Sequence, residues 1–332
     1  MSFENIAKFF RETSLFLGIM LGFLGFILFT YVDSARPVRG VAIFLVDSLP
    51  FFLFVLLFFS FCKVRFLEMR PRRWHLILSV FQIVMTGCMV AYIVFFNPES
   101  QVRLLIEGCI ICLISPTAAS AAVITGKLGG NESAQVTYTI ISNSVAAIFI
   151  PLYFPFICNT TSGSFITDVL MILHMVFPIL ILPLMLSFLL RRFTPKLHQF
   201  LTVLGSKISF SLWIFILIIQ SARIFYSIYK LNNSYLALIS MFLIGLVFTL
   251  VLFFLGQMVG NIDGQKISAG QGLGQKNTVF GIWVSMLYLS PLVAIVPGSY
   301  LLWQNLFNAV QIIFRERDND KRAKAHLPFY QE

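Results

Sequence analysis

The sequence has few charged residues: only 11% of its 332 positions are Asp, Glu, Lys or Arg, and it contains four histidines. Soluble domains carry about 25% charged residues, so a chain that is 58% hydrophobic has too little polar surface to fold as a water-soluble globule. The patterns H-E-x-x-H and G-x-S-x-G, which indicate metalloproteases and serine hydrolases, are also absent from the sequence. The composition therefore excludes a large soluble catalytic domain, and we expect a membrane protein that is not an enzyme.

Cysteine is also scarce. The five cysteines lie in or at the ends of apolar segments, where a disulfide framework has no loops to join, so we expect all five to be reduced: Cys62, Cys88, Cys109, Cys112 and Cys158. The pair at 109 and 112 forms a C-x-x-C, but neither a second cysteine pair nor a nearby histidine accompanies it. Packing is favoured over metal or redox chemistry, and no cofactor is predicted.

Long apolar runs make up most of the sequence. A membrane-spanning helix needs about 20 apolar residues, and ten runs of about this length occur, at residues 14–32, 41–62, 74–96, 103–126, 133–158, 165–190, 200–221, 235–258, 267–290 and 291–314. The sequence therefore predicts an all-α polytopic membrane protein with ten transmembrane helices. One membrane domain would cover residues 1–314, and residues 315–332 would form a short basic cytoplasmic tail.

The basic residues predict the orientation. Of the 24 Lys and Arg residues, 18 fall in the loops and termini of one side, 5 fall on the other, and Lys276 lies inside the ninth run. Cytoplasmic loops carry an excess of Lys and Arg, so both termini are expected in the cytoplasm, in an inner or plasma membrane. Because the net charge of +10 is spread over short loops rather than one solvated patch, we predict the lipid bilayer as a partner and no nucleic acid.

The ten runs divide into two groups of five, at residues 14–158 and 165–314. Five is an odd number, so two such groups in series enter the membrane from opposite sides. Inverted repeats of this kind are typical of secondary transporters. We therefore predict two inverted five-helix repeats.

The fourth run of each repeat contains residues that interrupt a helix. The first has Pro116 among small and hydroxyl residues, and the second has three glycines and a polar cluster around Asn277. Proline removes a backbone hydrogen bond and clashes with the preceding turn. Discontinuous helices in corresponding places of two repeats indicate a transporter's binding site, so we expect helices 4 and 9 to break and cross there. The alternative is an ordinary proline kink together with glycines in close helix packing.

Lys276 is the most unusual residue of these runs. A lysine near the membrane centre costs about 2.5–3.5 kcal/mol on insertion scales, and such residues face an interior cavity. It follows Lys266 by ten residues, about 15 Å along a helix, which is too deep for easy snorkelling. The ammonium could hold the carbonyls of a broken helix together, attract an anionic substrate or carry a proton.

Five further residues in these runs are weaker candidates. Four could bind a substrate or carry a proton, or could equally form a hydrogen bond between packed helices: Asp47, Glu107, Asn143 and His174. Trp303 could line the tenth helix near the site, or simply be a core residue.

Three stretches resemble the bile acid:sodium symporter superfamily. They run from Ser115-Pro116 to Thr139, from Gly274 to Thr278, and from Pro291 through Pro297-Gly298 to Trp303-Gln304-Asn305. The resemblance implies a panel domain of helices 1, 2, 6 and 7, and a core domain of helices 3–5 and 8–10. It also implies that sodium and an organic anion bind where helices 4 and 9 cross.

The resemblance also implies site residues. The positions at the substrate site and the crossing are Pro116, Thr117, Ser120, Lys276, Asn277, Thr278 and Asn305; the positions equivalent to the family's ion sites are Gln82, Ala121, Ala122, Gln135, Thr139, Gly272, Gln275 and Lys276. At the second set, serine and asparagine have become Ala121-Ala122, a serine has become Gln135, an acidic residue has become Gly272 and a glutamine has become Lys276. Hard cations need several oxygen ligands, so we predict degraded sodium sites and assign no residue as a metal ligand.

The sequence thus predicts a secondary transporter of a bile-acid-like carboxylate or sulfonate by alternating access. The alternative is a sodium-independent, proton-linked or uniporting carrier that uses Lys276. A monomer or weak oligomer is expected.

Overall fold

The computed structural model describes residues 3–32, 39–64, 69–158, 163–230, 235–325 and 327–332. Arg36 and Arg65, two residues used to predict the topology, lie outside this set. The helices are α1 (Phe3–Tyr31), α2 (Arg39–Asp47), α3 (Leu49–Cys62), α4 (Arg73–Phe96), α5 (Ser100–Ile114), α6 (Ala121–Lys127), α7 (Glu132–Tyr153), α8 (Phe165–Leu180), α9 (Leu182–Phe193), α10 (Pro195–Lys230), α11 (Tyr235–Gly260), α12 (Lys266–Gly274), α13 (Thr278–Tyr288) and α14 (Ile295–Lys324). The predicted all-helical fold is confirmed for the described residues, which contain no strand longer than an isolated bridge.

Several helices are long and apolar enough to cross a membrane. Four pass by themselves, namely α4, α7 with the 3-10 turn that follows it, α10 and α11. Two bent pairs raise the number to six: α2 with α3, bent by 45°, and α8 with α9, bent by 41°. Proline lies in the first turn of the second helix of each pair, at Pro50 and Pro183, where its missing N–H is tolerated. The chain is an integral membrane protein, whereas the ten spans and the inverted repeat stay predictions.

The chain divides into two compact units. The first consists of Met1–Lys63 and Leu182–Ser234, and in it α1 packs along α10 while α3 packs against α9 and α10. Close approach of α1 and α10 requires a small residue, since a Cβ added at Gly22 would lie 2.7 Å from the carbonyl oxygen of Ile218.

The second unit consists of Val64–Ile181 and Tyr235–Glu332. Here α11 packs along α12 and α14, and α7 packs along α8. Gly256 on α11 lets α12 approach closely, because a Cβ there would lie 2.5 Å from the carbonyl oxygen of Ala269. This unit contains all of the residues expected at the crossing.

The division after Ile181 falls within the apolar run at 165–190, so α8 belongs to the second unit and α9 to the first. Helix α14 continues past the apolar run as far as Lys324, because residues 315–324 contain no Pro or Gly and Asp318 forms ion pairs with Arg315 and Arg322 at helical spacing. A panel-and-core function for the two units stays a prediction.

Candidate functional site

Two helices of the second unit are interrupted. The first break separates α5, which ends at Ile114, from α6, which begins at Ala121. The second separates α12, which ends at Gly274, from α13, which begins at Thr278. The breaks fall where Pro116 and the glycine-rich stretch predict them, because proline cannot continue the hydrogen-bond pattern of α5.

The two interrupted segments pair with each other. Thr117 and Lys276 form an antiparallel bridge. The N–H of Asn277 donates to the carbonyl oxygen of Pro116 at 2.7 Å, and the N–H of Ala118 donates to that of Gln275 at 2.9 Å. The crossing therefore satisfies part of the backbone that the two breaks expose.

The side chain of Lys276 forms hydrogen bonds with backbone carbonyls at the carboxyl end of α5. It is fully buried, and its Nζ donates to the carbonyl oxygens of Leu113 at 2.9 Å and Ser115 at 3.2 Å. The last carbonyls of a helix have no partner within the helix and form the negative end of its dipole, which favours a cation. The ammonium therefore supplies both hydrogen bonds and positive charge at this position.

Other donors bind the remaining carbonyls near the two breaks. Gln82 Nε2 donates to Ile114 at 3.0 Å, and Tyr300 Oη donates to Gly274 at 2.6 Å. The Thr117 hydroxyl donates to the carbonyl of Gly272 at 2.7 Å. Side-chain donors thus form hydrogen bonds with several backbone carbonyls that have no partner within the broken helices.

Gln304 holds Lys276 in place from α14. Its Oε1 accepts from the backbone N–H of Lys276 at 3.0 Å, and its Nε2 donates to the carbonyl oxygen of the same residue at 3.2 Å. The residues assigned to the site from the sequence include neither Gln304 nor Tyr300. The signal for both lies in the third family-like stretch, which contains Tyr300 and places Gln304 between Trp303 and Asn305.

The positions equivalent to ion ligands are of two kinds. Some have lost their side-chain oxygens, whereas Gln82, Gln135 and Gln275 keep buried amide oxygens without a partner among the described residues. Ala121 and Ala122 lie at the start of α6 and have none in their side chains. Thr139 donates its hydroxyl to the carbonyl of Gln135 in its own helix, and the amide of Gln135 is buried without a partner among the described residues. Gln275 donates to the hydroxyl of Ser120 at 2.9 Å.

Gly272 leaves no space for the acidic side chain that the resemblance places there. A Cβ at this glycine would lie 2.8 Å from Tyr138 Cδ1 and 3.1 Å from Trp74 Cζ3. The two aromatic rings fill the volume that a carboxylate would need. An acidic side chain at position 272 would therefore require these rings to move.

The expected substrate residues are only partly brought together. Ser120 is exposed beside the crossing and Asn277 is half-buried, while Thr278 is buried and lies 3.5 Å from Gln304 Nε2. Asn305 instead donates to the carbonyl of Leu301 in its own helix at 2.6 Å. It makes no hydrogen bond to the crossing among the described residues.

The weaker candidates are exposed or form their recorded hydrogen bonds away from Lys276. Glu107 is buried and pairs with Arg103 at 2.8 Å. Asn143 donates to Thr139 in its own helix at 2.7 Å, and Trp303 donates to the carbonyl of Phe242 at 3.3 Å. The two others, Asp47 and His174, are exposed on α2 and α8.

Comparison with known proteins identifies the family. The sodium bile acid symporter family model matches residues 50–230, which is more than half of the 332-residue chain. The match includes the first broken helix and ends before Lys276. No curated protein matches the chain. The chain therefore belongs to the sodium bile acid symporter family.

Proposed function

We propose that this protein is a secondary transporter of an organic anion that works by alternating access without sodium, with the ammonium of Lys276 as a permanent substitute for the ion. The observation that carries the proposal is the pair of hydrogen bonds from Lys276 Nζ to the carbonyls of Leu113 and Ser115. A charge attached to the chain stays at the crossing, whereas a bound ion leaves it.

The charge at the crossing supports an anionic substrate. Lys276 is fully buried, and none of the described carboxylates forms an ion pair with it. The positive end of α13 also begins at the crossing, immediately after Asn277. A carboxylate or sulfonate that binds beside Ser120 and Asn277 would reduce this positive potential, whereas an organic cation would add to it.

The same charge opposes sodium binding. Two unit charges 4 Å apart repel by about 4 kcal/mol at an effective dielectric constant of 20. The carbonyls of Leu113, Ile114 and Ser115 already accept hydrogen bonds from Lys276 and Gln82. A sodium ion would have to displace these donors and overcome the repulsion.

Ligand-dependent stabilisation of the purified protein tests the substrate class. A ligand that binds only the folded state raises the unfolding temperature, by an amount that grows with the logarithm of its concentration above the Kd. We expect carboxylates and sulfonates of bile-acid size to raise it equally in sodium and in potassium buffers, and neutral or cationic analogues of the same skeleton to leave it unchanged. The stabilisation should be lost in Lys276→Gln and kept in Lys207→Gln, which changes an exposed lysine of α10.

Two results would count against the proposal. Stabilisation by the cationic analogues alone would exclude an anion carrier. Stabilisation by the anions only when sodium is present would restore the sodium-coupled mechanism of the family. Uptake driven by an imposed proton gradient with sodium absent would instead select the proton-linked form of the carrier.

A further inference from the structure

The last described residues fold back onto the second unit. After α14 ends, the N–H of Leu327 donates to the carbonyl of Arg322 at 2.9 Å and turns the chain. The carboxylate of Glu332 then reaches the start of α12. It accepts hydrogen bonds from the backbone N–H of Ile267, the backbone N–H of Ser268 at 3.2 Å and the hydroxyl of Ser268 at 2.9 Å.

The same segment contacts the turn between α6 and α7. The N–H of Glu332 donates to the carbonyl of Gly129 at 2.8 Å. Gly129 has a φ of +82°, and a Cβ at this position would collide with the carbonyl oxygen of Tyr330. Glycine is therefore required here both by the backbone conformation and by the close approach of the tail.

Ser268 connects the turn to the tail. Its hydroxyl accepts a hydrogen bond from the N–H of Asn131 at 2.8 Å while donating to Glu332. The ring of Tyr330 is held from α14, because the guanidinium of Arg315 lies 4.2 Å from the ring centroid, a cation–π distance. The tail is thus attached at three places.

A carboxylate suits the start of α12 for two reasons. The first N–H groups of a helix have no partner within the helix, and they form the positive end of its dipole. Hydrogen bonds to an ionised acceptor are about twice as strong as neutral ones. Glu332 satisfies two of these N–H groups with one side chain.

We propose that residues 327–332 form a strap that clamps the start of α12 to the turn between α6 and α7. Helix α12 leads directly into the crossing, with Gly274 two positions before Lys276. The strap therefore restrains the helix that carries one side of the crossing, and release of Glu332 loosens it. A tail that detaches from this position would regulate how readily the crossing opens.

Hydrogen exchange of the intact protein in detergent tests the strap independently of transport. In Glu332→Gln, amides at residues 129–131 and 266–269 should exchange at least about tenfold faster than in the wild type, because the charge-assisted bonds are lost. The control Glu316→Gln removes an exposed carboxylate of α14 and should leave these amides unchanged. Equal exchange in Glu332→Gln and the wild type would overturn the proposal.

A second arm adds the tail in trans. In the protein truncated after Ala325, a peptide with the sequence of residues 326–332 should restore protection of residues 266–269, and the same peptide with Gln in place of Glu332 should not. Equal restoration by both peptides would show that the carboxylate is not recognised, which contradicts the strap. If the truncated protein does not fold, the exchange of Glu332→Gln decides the matter alone.

Discussion

The ammonium nitrogen of Lys276 lies 2.9 Å from the carbonyl oxygen of Leu113, although 163 residues separate the two along the chain. It also reaches Ser115, so one side chain binds the end of a helix that belongs to the other half of the sequence. A cation that binds carbonyls and a lysine that donates to them supply the same charge at the same place. They differ because the lysine cannot dissociate.

Replacing Lys276 should destabilise the protein according to how many donors remain. Lys276→Met leaves the carbonyls of Leu113 and Ser115 buried without a donor and should cost about 2–5 kcal/mol. Lys276→Gln keeps an amide donor and should cost less. Thermal unfolding in detergent should show the wild type as the most stable, Lys276→Gln as intermediate and Lys276→Met as the least stable. Lys207→Met is the control for removal of a lysine, and a methionine variant as stable as the wild type would contradict the assigned role.

Gln82 should stabilise the folded protein through a single hydrogen bond. In Gln82→Leu the carbonyl of Ile114 loses its side-chain donor, and we expect a loss of about 1–3 kcal/mol of stability. Gln101→Leu changes an exposed glutamine of α5 and should change stability by less than about 0.5 kcal/mol. Denaturation of both variants under identical conditions makes the comparison. Equal stabilities would show that Gln82 does not hold the end of α5.

Gly272 should not tolerate restoration of an acidic residue. The side chain of Gly272→Glu would meet Tyr138 and Trp74, and even Gly272→Ala should cost about 1–3 kcal/mol through overpacking. Gly40→Ala is the matched control, because nothing lies within 4 Å of a Cβ there, and alanine should stabilise that helix by about 0.5–1 kcal/mol. A stable Gly272→Glu variant that gains sodium binding would show that the space exists.

The topology is testable with reporters. The bias of 18 basic residues against 5 predicts that a fusion after Glu332 is active when the reporter works only in the cytoplasm. A second reporter, active only on the opposite side of the membrane, should be silent at the same position. The reverse pattern would overturn the orientation and, with it, the even number of spans.

The sequence allowed the two helix breaks to be predicted, since proline and clustered glycines act locally on the backbone. It did not allow the partners of Lys276 to be predicted, because Leu113 and Ser115 contribute backbone atoms that any residue type would supply. Tyr300 and Gln304 were missed as site residues for a similar reason. A buried tyrosine or glutamine on a helix indicates a hydrogen bond but not its acceptor.

The end of the last predicted helix differs from the structure. Hydropathy marks where apolar residues stop, so it ended the last helix at Phe314, while helix propensity and the ion pairs of Asp318 carry α14 to Lys324. The contact between Glu332 and Ser268 could not be predicted from the sequence either, because the two residues lie 64 positions apart.

Uptake by proteoliposomes shows whether Lys276 takes the place of sodium. The substrate is an anion identified by the stabilisation measurements, and its uptake is compared with a sodium gradient, with potassium replacing sodium, and in Lys276→Gln. If the ammonium replaces the ion, initial rates of the wild type should be equal in sodium and potassium, and the loss of transport in Lys276→Gln should exceed any effect of removing sodium. Sodium-driven accumulation by the wild type, or normal sodium-free transport by Lys276→Gln, would show that the ammonium does not replace the ion.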